Sequence, residues 1–368
     1  MTRSIMDQRH PHFAPDYAGA RQLFLAACAA KGITAESLRH PLKGPDGGTV
    51  ALDTVHLGPA DAPHRLCLLA ATHGVEGYFG AAVLTGLIAD GHLDRLPGGV
   101  SVQLLHGINP WGFAWTRRVN EDNVDLNRNW IDFSQPRPRD AAYEQIATAL
   151  LPADLDTATL AAADAELRAF ALEHGVPALQ SAVSRGQYHH ENGLYFGGFG
   201  PTWSRRRISE IVTRHLSGAE HVAVVDFHTG LGAYGAGELI TIAPIGSADY
   251  DRARGLFGDT IKSTASGDSL SAHLSGTLDD GFAALLGATP LTFIALEVGT
   301  RDTQAVVRAL RDDNWLHGYG ALGTPQATDI KARLKDAFAP DERPWQDAVY
   351  AQGIDTVRRA LAGLAGPG

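Results

Sequence analysis

The sequence predicts an α/β fold whose central sheet is covered by helices on both faces. Short apolar runs rich in β-branched residues alternate with long helical patterns along the 368 residues. The runs are almost continuously apolar, as expected of strands that are buried on both faces. Glycines stand where four helical patterns end, because glycine accepts the left-handed cap conformation without steric cost. These glycines are Gly32, Gly91, Gly175 and Gly218.

The elements follow from these patterns in chain order. Six segments are predicted as strands: 49–57 (TVALDTVHL), 65–72 (RLCLLAAT), 100–106 (VSVQLLH), 221–227 (HVAVVDF), 238–243 (ELITIA) and 291–297 (LTFIALE). Seven segments are predicted as helices: 16–30, 77–90, 140–150, 157–174, 202–217, 303–317 and 344–363.

The segment 131–200 interrupts this alternation. It holds a turn rich in Pro and Arg, two Ala-rich helices and a loop rich in Gly and aromatic residues. No Gly/Ser linker flanks it. We therefore expect an insertion that packs on one domain spanning residues 1–368.

Composition and charge narrow the class of protein. Apolar residues make up 44% and charged residues 20%, the balance of a soluble globular protein. A net charge of -10 argues against a nucleic-acid partner. The sequence has neither a membrane-spanning run nor the apolar core of a signal peptide, so we expect a cytoplasmic protein without a membrane partner. Cys28 and Cys67 lie in apolar stretches and are expected to be buried thiols.

Polar side chains follow the predicted strands where each strand ends. The strand 65–72 runs into His73, and Glu76 comes three residues later beside a glycine. His228 follows the strand 221–227, and the last predicted strand ends in Glu297. Ligands of open α/β sheets bind beyond the carboxyl ends of strands, and both His and Glu are good Zn²⁺ donors.

A loop between residues 106 and 130 also begins at a strand end. It combines Asn109-Pro110 with the pair Arg117-Arg118 and the run VDLNRNW. A guanidinium group matches a carboxylate through two parallel hydrogen bonds, and Asn adds a neutral donor. The loop therefore indicates recognition of a carboxylate.

The motifs together resemble the zinc carboxypeptidase (carboxypeptidase A-like) superfamily, including its aspartoacylase and succinylglutamate desuccinylase branch. The resemblance rests on HxxE at 73–76, NP-G at 109–112, VDLNRNW at 124–130, DFH at 226–228 and the strand ending in Glu297. These catalytic motifs lie within residues 66–300. The resemblance implies a mixed, mostly parallel sheet.

The resemblance also implies one Zn²⁺ per chain, held by His73, Glu76 and His228. Glu297 matches the general base of the superfamily. Asp125 matches the carboxylate that orients the first zinc histidine. A further His/Asp cluster that would favour a second metal ion is not seen in the sequence.

Four residues match the substrate-binding part of the superfamily. Asn127 and Arg128 correspond to the pair that binds the terminal carboxylate of the substrate. Arg118 corresponds to the arginine that stabilises the oxyanion, and Arg117 is its close competitor.

The implied function is a zinc-dependent hydrolase that cleaves an amide bond next to a free carboxylate through a metal-activated water. The substrate is a short peptide, for a carboxypeptidase, or a small N-acyl amino acid, for a deacylase. One alternative is a zinc-dependent esterase, or a lactone or cyclic-amide hydrolase, on the same site. Another alternative is a non-catalytic binding protein with the same fold.

One departure from the superfamily concerns its mobile tyrosine. Ser271 or His273 stands at the corresponding position. Tyr188, Tyr195 and Tyr234 are other possible sources of a hydroxyl group.

Overall fold

A computed structural model of the chain describes residues 9–267, 269 and 274–366. The strands are β1 (Glu36–Lys43), β2 (Thr49–Leu57), β3 (His64–Ala70), β4 (Val100–His106), β5 (His221–Tyr234), β6 (Gly237–Thr241), β7 (Lys262–Ser263) and β8 (Leu291–Gly299). The helices are α1 (Tyr17–Ala30), α2 (Gly77–Ala89), α3 (Pro110–Ala114), α4 (Ala141–Leu150), α5 (Thr157–His174), α6 (Val176–Ser184), α7 (Trp203–His215), α8 (Ala248–Phe257), α9 (Leu278–Leu286), α10 (Thr303–Gly318), α11 (Pro325–Phe338) and α12 (Arg343–Leu364).

The eight strands form one mixed sheet in the order β1-β2-β4-β3-β5-β8-β6-β7. Strands β4, β3, β5 and β8 are parallel neighbours at its centre. Strand β2 is antiparallel to β4, and β6 is antiparallel to β8. The predicted mixed, mostly parallel sheet is confirmed, and β3, β5 and β8 end at the same edge.

Both faces of the sheet are covered, as predicted. On β3, Leu66 and Leu68 join a hydrophobic cluster with residues of α1, α2, α8 and α12. The alternate residues Cys67 and Leu69 join a second cluster with residues of α7 and α9. Successive side chains of a strand point to opposite faces, which explains why β3 is apolar from Leu66 to Ala70. Cys28 and Cys67 are buried free thiols, as expected.

All six predicted strands are present, with ends that differ by a few residues at most except in β5, which continues to Tyr234. The four glycines have positive φ angles, between 68° and 92°, as predicted, but Gly175 has a ψ angle of 152°, which lies outside the left-handed helical region. Strand β1 was not predicted because it is an edge strand: most of its residues are exposed and it contains Pro41. Strand β7 has two residues and leaves no sequence pattern.

The insertion contains helices α4, α5 and α6, one more helix than predicted. Tyr143 and Phe170 of the insertion share a hydrophobic cluster with Val306, Leu310 and Phe338 of α10 and α11. This packing places the insertion beside the sheet edge at which the polar motifs lie. Among the described residues, no helix combines the length and apolar character that a membrane span requires.

Candidate active site

The ends of three neighbouring parallel strands bring the predicted residues together. Strand β3 leads directly into His73, while His228 and Glu297 lie opposite each other in the pairing of β5 with β8. Glu76 ends the short 3-10 turn Gly74–Glu76 that precedes α2. The turn lies against α3, where a Cβ atom on Gly74 would fall 2.0 Å from the carbonyl carbon of Gly112. Only glycine therefore fits this position.

His73, Glu76 and His228 form a compact, buried triad whose ligand atoms lie within 4.8 Å of one another. Glu76 Oε1 lies 2.9 Å from His73 Nδ1, and Glu76 Oε2 lies 3.0 Å from His228 Nδ1. The ion-pair contact with Glu76 is the contact that the described residues make with the buried Nδ1 atom of His73, and it lacks the geometry of a hydrogen bond. Such an atom is costly to bury without a ligand. Two imidazole nitrogens and a carboxylate fit a divalent metal ion that takes nitrogen and oxygen donors.

Each histidine is oriented by a carboxylate on its far side. His73 Nε2 lies 3.0 Å from Asp125 Oδ1, and His228 Nε2 lies 2.7 Å from Asp226 Oδ2. Thr72 donates its hydroxyl hydrogen to Asp226 at 2.7 Å. A carboxylate that accepts from Nε2–H leaves the lone pair of Nδ1 for a metal ion.

Asp226 was not singled out from the sequence, although a signal was present. It stands two residues before His228 on β5, and residues at this spacing point to the same face of a strand.

The electrostatics of the triad follow from burial and from neighbouring charges. Burial alone would raise the pKa of Glu76, but His73, His228 and Arg118 together hold it well below its usual value. Burial also disfavours the charged form of His228, yet Asp226 and Glu76 raise its pKa well above the ordinary value. The ligand carboxylate is therefore ionised at neutral pH.

The pKa of Glu297 is shifted in the opposite direction. Burial, together with the nearby negative charge of Glu76, raises the pKa of Glu297 to about 7. Its Oε1 atom accepts a hydrogen bond of 3.0 Å from the backbone N–H of Leu231. A carboxyl group with such a pKa can both take up and release a proton near neutral pH.

The two consecutive arginines point to different partners. Arg118 donates to Glu76 Oε1 at 2.8 Å and to Asp125 Oδ2 at 3.1 Å, and it lines the cavity at the triad. Arg117 is buried and donates to Asp313 Oδ2 at 3.0 Å, away from the cavity lining. Of the two candidates for the oxyanion role, the structure brings Arg118 to the triad.

Asn127 and Arg128 both line the cavity, and their partners define which donors remain for a ligand. Asn127 Oδ1 accepts from the backbone N–H of Leu278 at 2.9 Å, which leaves the NH₂ group as the donor for a ligand. Arg128 donates from Nε and Nη2 to the carbonyl of Ser184, at 3.1 and 2.6 Å. It also donates from Nη1 to the backbone carbonyl of Asn127, at 2.7 Å. Within the described part of the chain, these bonds leave one N–H without a partner on each terminal nitrogen, and two such donors suit the two oxygens of a carboxylate.

Of the three tyrosines considered as hydroxyl sources, Tyr195 lines the cavity. Its ring centroid lies 5.0 Å from Cζ of Arg118 and 5.6 Å from Cζ of Arg128. Tyr188 donates to the carbonyl of Arg128, and Tyr234 lies at the surface beside Glu342. The alternative positions 271 and 273, occupied by Ser271 and His273, lie outside the described residues.

A single cavity of about 500 Å³ joins these groups. Its lining contains the triad and most of the other predicted site residues: His73, Glu76, His228, Glu297, Arg118, Asn127 and Arg128. Asp125 lies immediately behind His73, and its side chain is fully buried. The site thus combines a triad whose donor atoms fit a metal ion, a carboxyl group suited to proton transfer and donors for an anion.

The fold is similar to those of several solved structures. One is described as thrombin activatable fibrinolysis inhibitor (TAFI), with a TM-score of 0.50, 11% identity, and coverage of 99% of this chain and 76% of that one. Carboxypeptidase A from Helicoverpa armigera has a TM-score of 0.44, 12% identity, and coverage of 92% and 76%. The murein-tripeptide amidase MpaA from Escherichia coli O157 has a TM-score of 0.38, 16% identity, and coverage of 81% and 91%. At such identities the likeness concerns the fold and not the reaction.

No curated protein sequence matches the chain significantly. A family model described as "Protein of unknown function (DUF2817)" matches residues 13–352, which include every residue of the site. The chain therefore belongs to the DUF2817 family, and it has the α/β fold that the resemblance to zinc carboxypeptidases predicts.

Proposed function

We propose that the protein is a zinc-dependent hydrolase that cleaves an amide bond next to a free carboxylate, in a short peptide or an N-acyl amino acid. One observation carries the proposal: the His73–Glu76–His228 triad, Glu297 and Arg128 line the same cavity. These residues come from distant parts of the chain. Folding alone does not require a metal-binding triad, a carboxyl group of raised pKa and an arginine with two remaining donors to meet.

The triad would hold one Zn²⁺ through the Nδ1 atoms of His73 and His228 and the carboxylate of Glu76. When bound, Zn²⁺ supplies Lewis acidity, which polarises a carbonyl group and lowers the pKa of water to about 7. Asp125 and Asp226 lie against the Nε2 atoms and turn both Nδ1 atoms toward Glu76, so that a metal ion would bind at Nδ1 as it displaces the proton there.

Glu297 acts as the general base and then as the general acid. Its carboxylate accepts a proton from the attacking water and later gives it to the leaving nitrogen. The hydrogen bond from the Leu231 N–H fixes the carboxyl group, so that one oxygen stays directed toward the cavity. A pKa raised to about 7 lets both transfers occur near neutral pH.

The arginines act on the two ends of the substrate. Arg128 and Asn127 hold the free carboxylate through the donors that the protein itself does not use. Arg118 adds positive charge beside Glu76, where it stabilises the negative charge that develops on the carbonyl oxygen. With the carboxylate fixed, the neighbouring amide is the bond presented to Glu297.

The proposal is tested with zinc-loaded protein on a panel of N-acyl amino acids, dipeptides and esters without a carboxylate. We expect chelation to abolish hydrolysis and Zn²⁺ to restore it. The variant Glu297→Gln should keep its zinc content but lose about 10²–10⁴ in kcat. Glu210→Gln, which removes a carboxylate exposed on α7, is the matched control and should keep full activity.

Three results would contradict the proposal. A fully active Glu297→Gln variant would exclude this residue as the base. Binding of N-acyl amino acids without any turnover by the zinc-loaded protein would instead favour the non-catalytic alternative. A preference for esters that lack a carboxylate would favour the esterase alternative.

A further inference from the structure

We propose that helices α5 and α6 of the insertion select substrates whose acyl group is long and apolar; the inference rests on the proposed function, because it concerns the substrate of that site. The selecting surface consists of four side chains, which we call the apolar wall. They are Leu167 of α5 and Val176, Leu179 and Val183 of α6.

All four side chains of the apolar wall line the cavity that contains the triad. Val183 is buried, at 8% exposure, while Leu167 and Leu179 are half-buried and pack against the same cluster. Val306 and Phe338 belong to this cluster and also line the cavity. The wall therefore continues into a larger apolar surface next to the metal-binding residues.

The apolar wall is joined directly to the carboxylate-binding arginine. Ser184 follows Val183 at the end of α6, and its carbonyl oxygen accepts two hydrogen bonds from Arg128. The same helix end thus presents an apolar side chain to the cavity and holds the guanidinium group in place. A ligand whose carboxylate is bound by Arg128 consequently lies beside the wall.

The chemistry of the wall identifies its occupant. Leucine and valine side chains offer no hydrogen-bond partner, so a peptide backbone placed along them would leave polar groups unsatisfied. An alkyl or aryl chain has no such groups. The cavity volume of about 500 Å³ lies within the range of sites that enclose one small molecule. We therefore assign the wall to the acyl chain of an N-acyl amino acid.

The test measures kcat/KM for a series of N-acyl derivatives of one amino acid, from acetyl to octanoyl. Each methylene group that becomes buried should raise kcat/KM by about fourfold until the chain fills the cavity. The variants Leu167→Ala and Leu179→Ala should lower kcat/KM for the octanoyl substrate by about tenfold, with a change of about twofold or less for the acetyl substrate. Leu172→Ala is the matched control, since Leu172 lies on the same helix as Leu167 but is 89% exposed and outside the cavity.

A binding measurement separates this inference from the proposed function. Calorimetry with the Glu297→Gln variant should show tighter binding of N-octanoyl than of N-acetyl amino acid, and Leu179→Ala in that background should remove the difference. Hydrolysis that is independent of chain length would contradict the role of the apolar wall but leave the proposed function intact. A preference for dipeptides over every N-acyl amino acid would have the same meaning. Absence of hydrolysis together with chain-length-dependent binding would overturn the proposed function and support the wall.

Discussion

At the scale of single residues, the two histidines of the triad are held in the same way. A carboxylate lies against Nε2 of each ring, Asp125 for His73 and Asp226 for His228. Asp226 in turn accepts from Thr72 with both of its oxygens. This arrangement orients both rings with Nδ1 toward Glu76, so we expect the two carboxylates to contribute to metal affinity without touching the metal.

Replacement of Asp226 tests this role. We expect Asp226→Asn to lower the affinity for Zn²⁺ by about 10–100-fold, because the amide no longer favours a proton on His228 Nε2. Thr72→Val should have a smaller effect, since the contact between Asp226 and His228 remains. Competition titration with a zinc-binding dye measures both affinities, and an unchanged affinity in Asp226→Asn would show that the carboxylate does not act through the histidine.

The sequence predicted the triad, Glu297 and the carboxylate behind His73 through the family resemblance. It left Arg117 and Arg118 undecided, because neighbouring residues of one type carry no sign of which side chain faces the sheet edge. Their partners differ in the structure: Asp313 of α10 holds Arg117 away from the cavity, and Glu76 and Asp125 hold Arg118 beside the triad. Such long-range contacts cannot be read from local patterns.

At the scale of elements, the turn between β3 and α2 carries two of the three metal-binding residues. Its backbone N–H groups at Gly74 and Val75 donate to the carbonyls of Arg118 and Arg117, at 3.1 and 2.8 Å. The turn also lies so close to α3 that a side chain at Gly74 would meet backbone atoms. The turn at residues 73–76 and the loop that carries Arg117 and Arg118 therefore form one packed unit.

The variant Gly74→Ala should break this unit. Because the added methyl group meets backbone and not a flexible side chain, we expect a loss of about 2–3 kcal/mol in the free energy of unfolding and weaker zinc binding. Gly255→Ala is the control: Gly255 lies in α8 with open space around its Cα, and alanine there should stabilise the helix by up to about 1 kcal/mol. Urea unfolding of both variants measures the difference, and equal stabilities would contradict the close approach.

Elements were predictable from the sequence where burial imposes a pattern. Strands β3 and β5 are apolar on both faces, and their recognition follows from that property. Strand β1 was missed because an exposed edge strand needs no apolar residues. Helix α6 was missed within the insertion, where its role in binding Arg128 through a backbone carbonyl leaves no side-chain signature.

At the scale of the whole molecule, we expect metal binding and folding to be linked, because the triad forms only when two distant segments, the turn at residues 73–76 and strand β5, are in place. An ion that binds the folded chain alone adds about 2.7 kcal/mol when its free concentration is 100 times the dissociation constant. We therefore expect chelation to lower the Tm by about 3–4 °C in a chain of 368 residues. Differential scanning calorimetry with and without chelator measures the shift.

The variant His228→Ala serves as the control for this experiment. It lacks one metal-binding group, so its Tm should respond little to the chelator. An equal response of the wild-type and variant proteins would show that the stabilising ion binds somewhere other than the triad.

The contact between Arg117 and Asp313 has one more consequence. Asp313 is also held by Lys331 of α11, so the guanidinium of Arg117 lies in a buried ionic network that ties its loop to two helices. If Arg117 left this network, the buried carboxylate of Asp313 would lose one of the cations that compensate its charge, which is unfavourable. Arg117 is therefore fixed away from the cavity, and we expect that it cannot replace Arg118 there: one arginine ties the loop to two helices, and the other lies beside the triad.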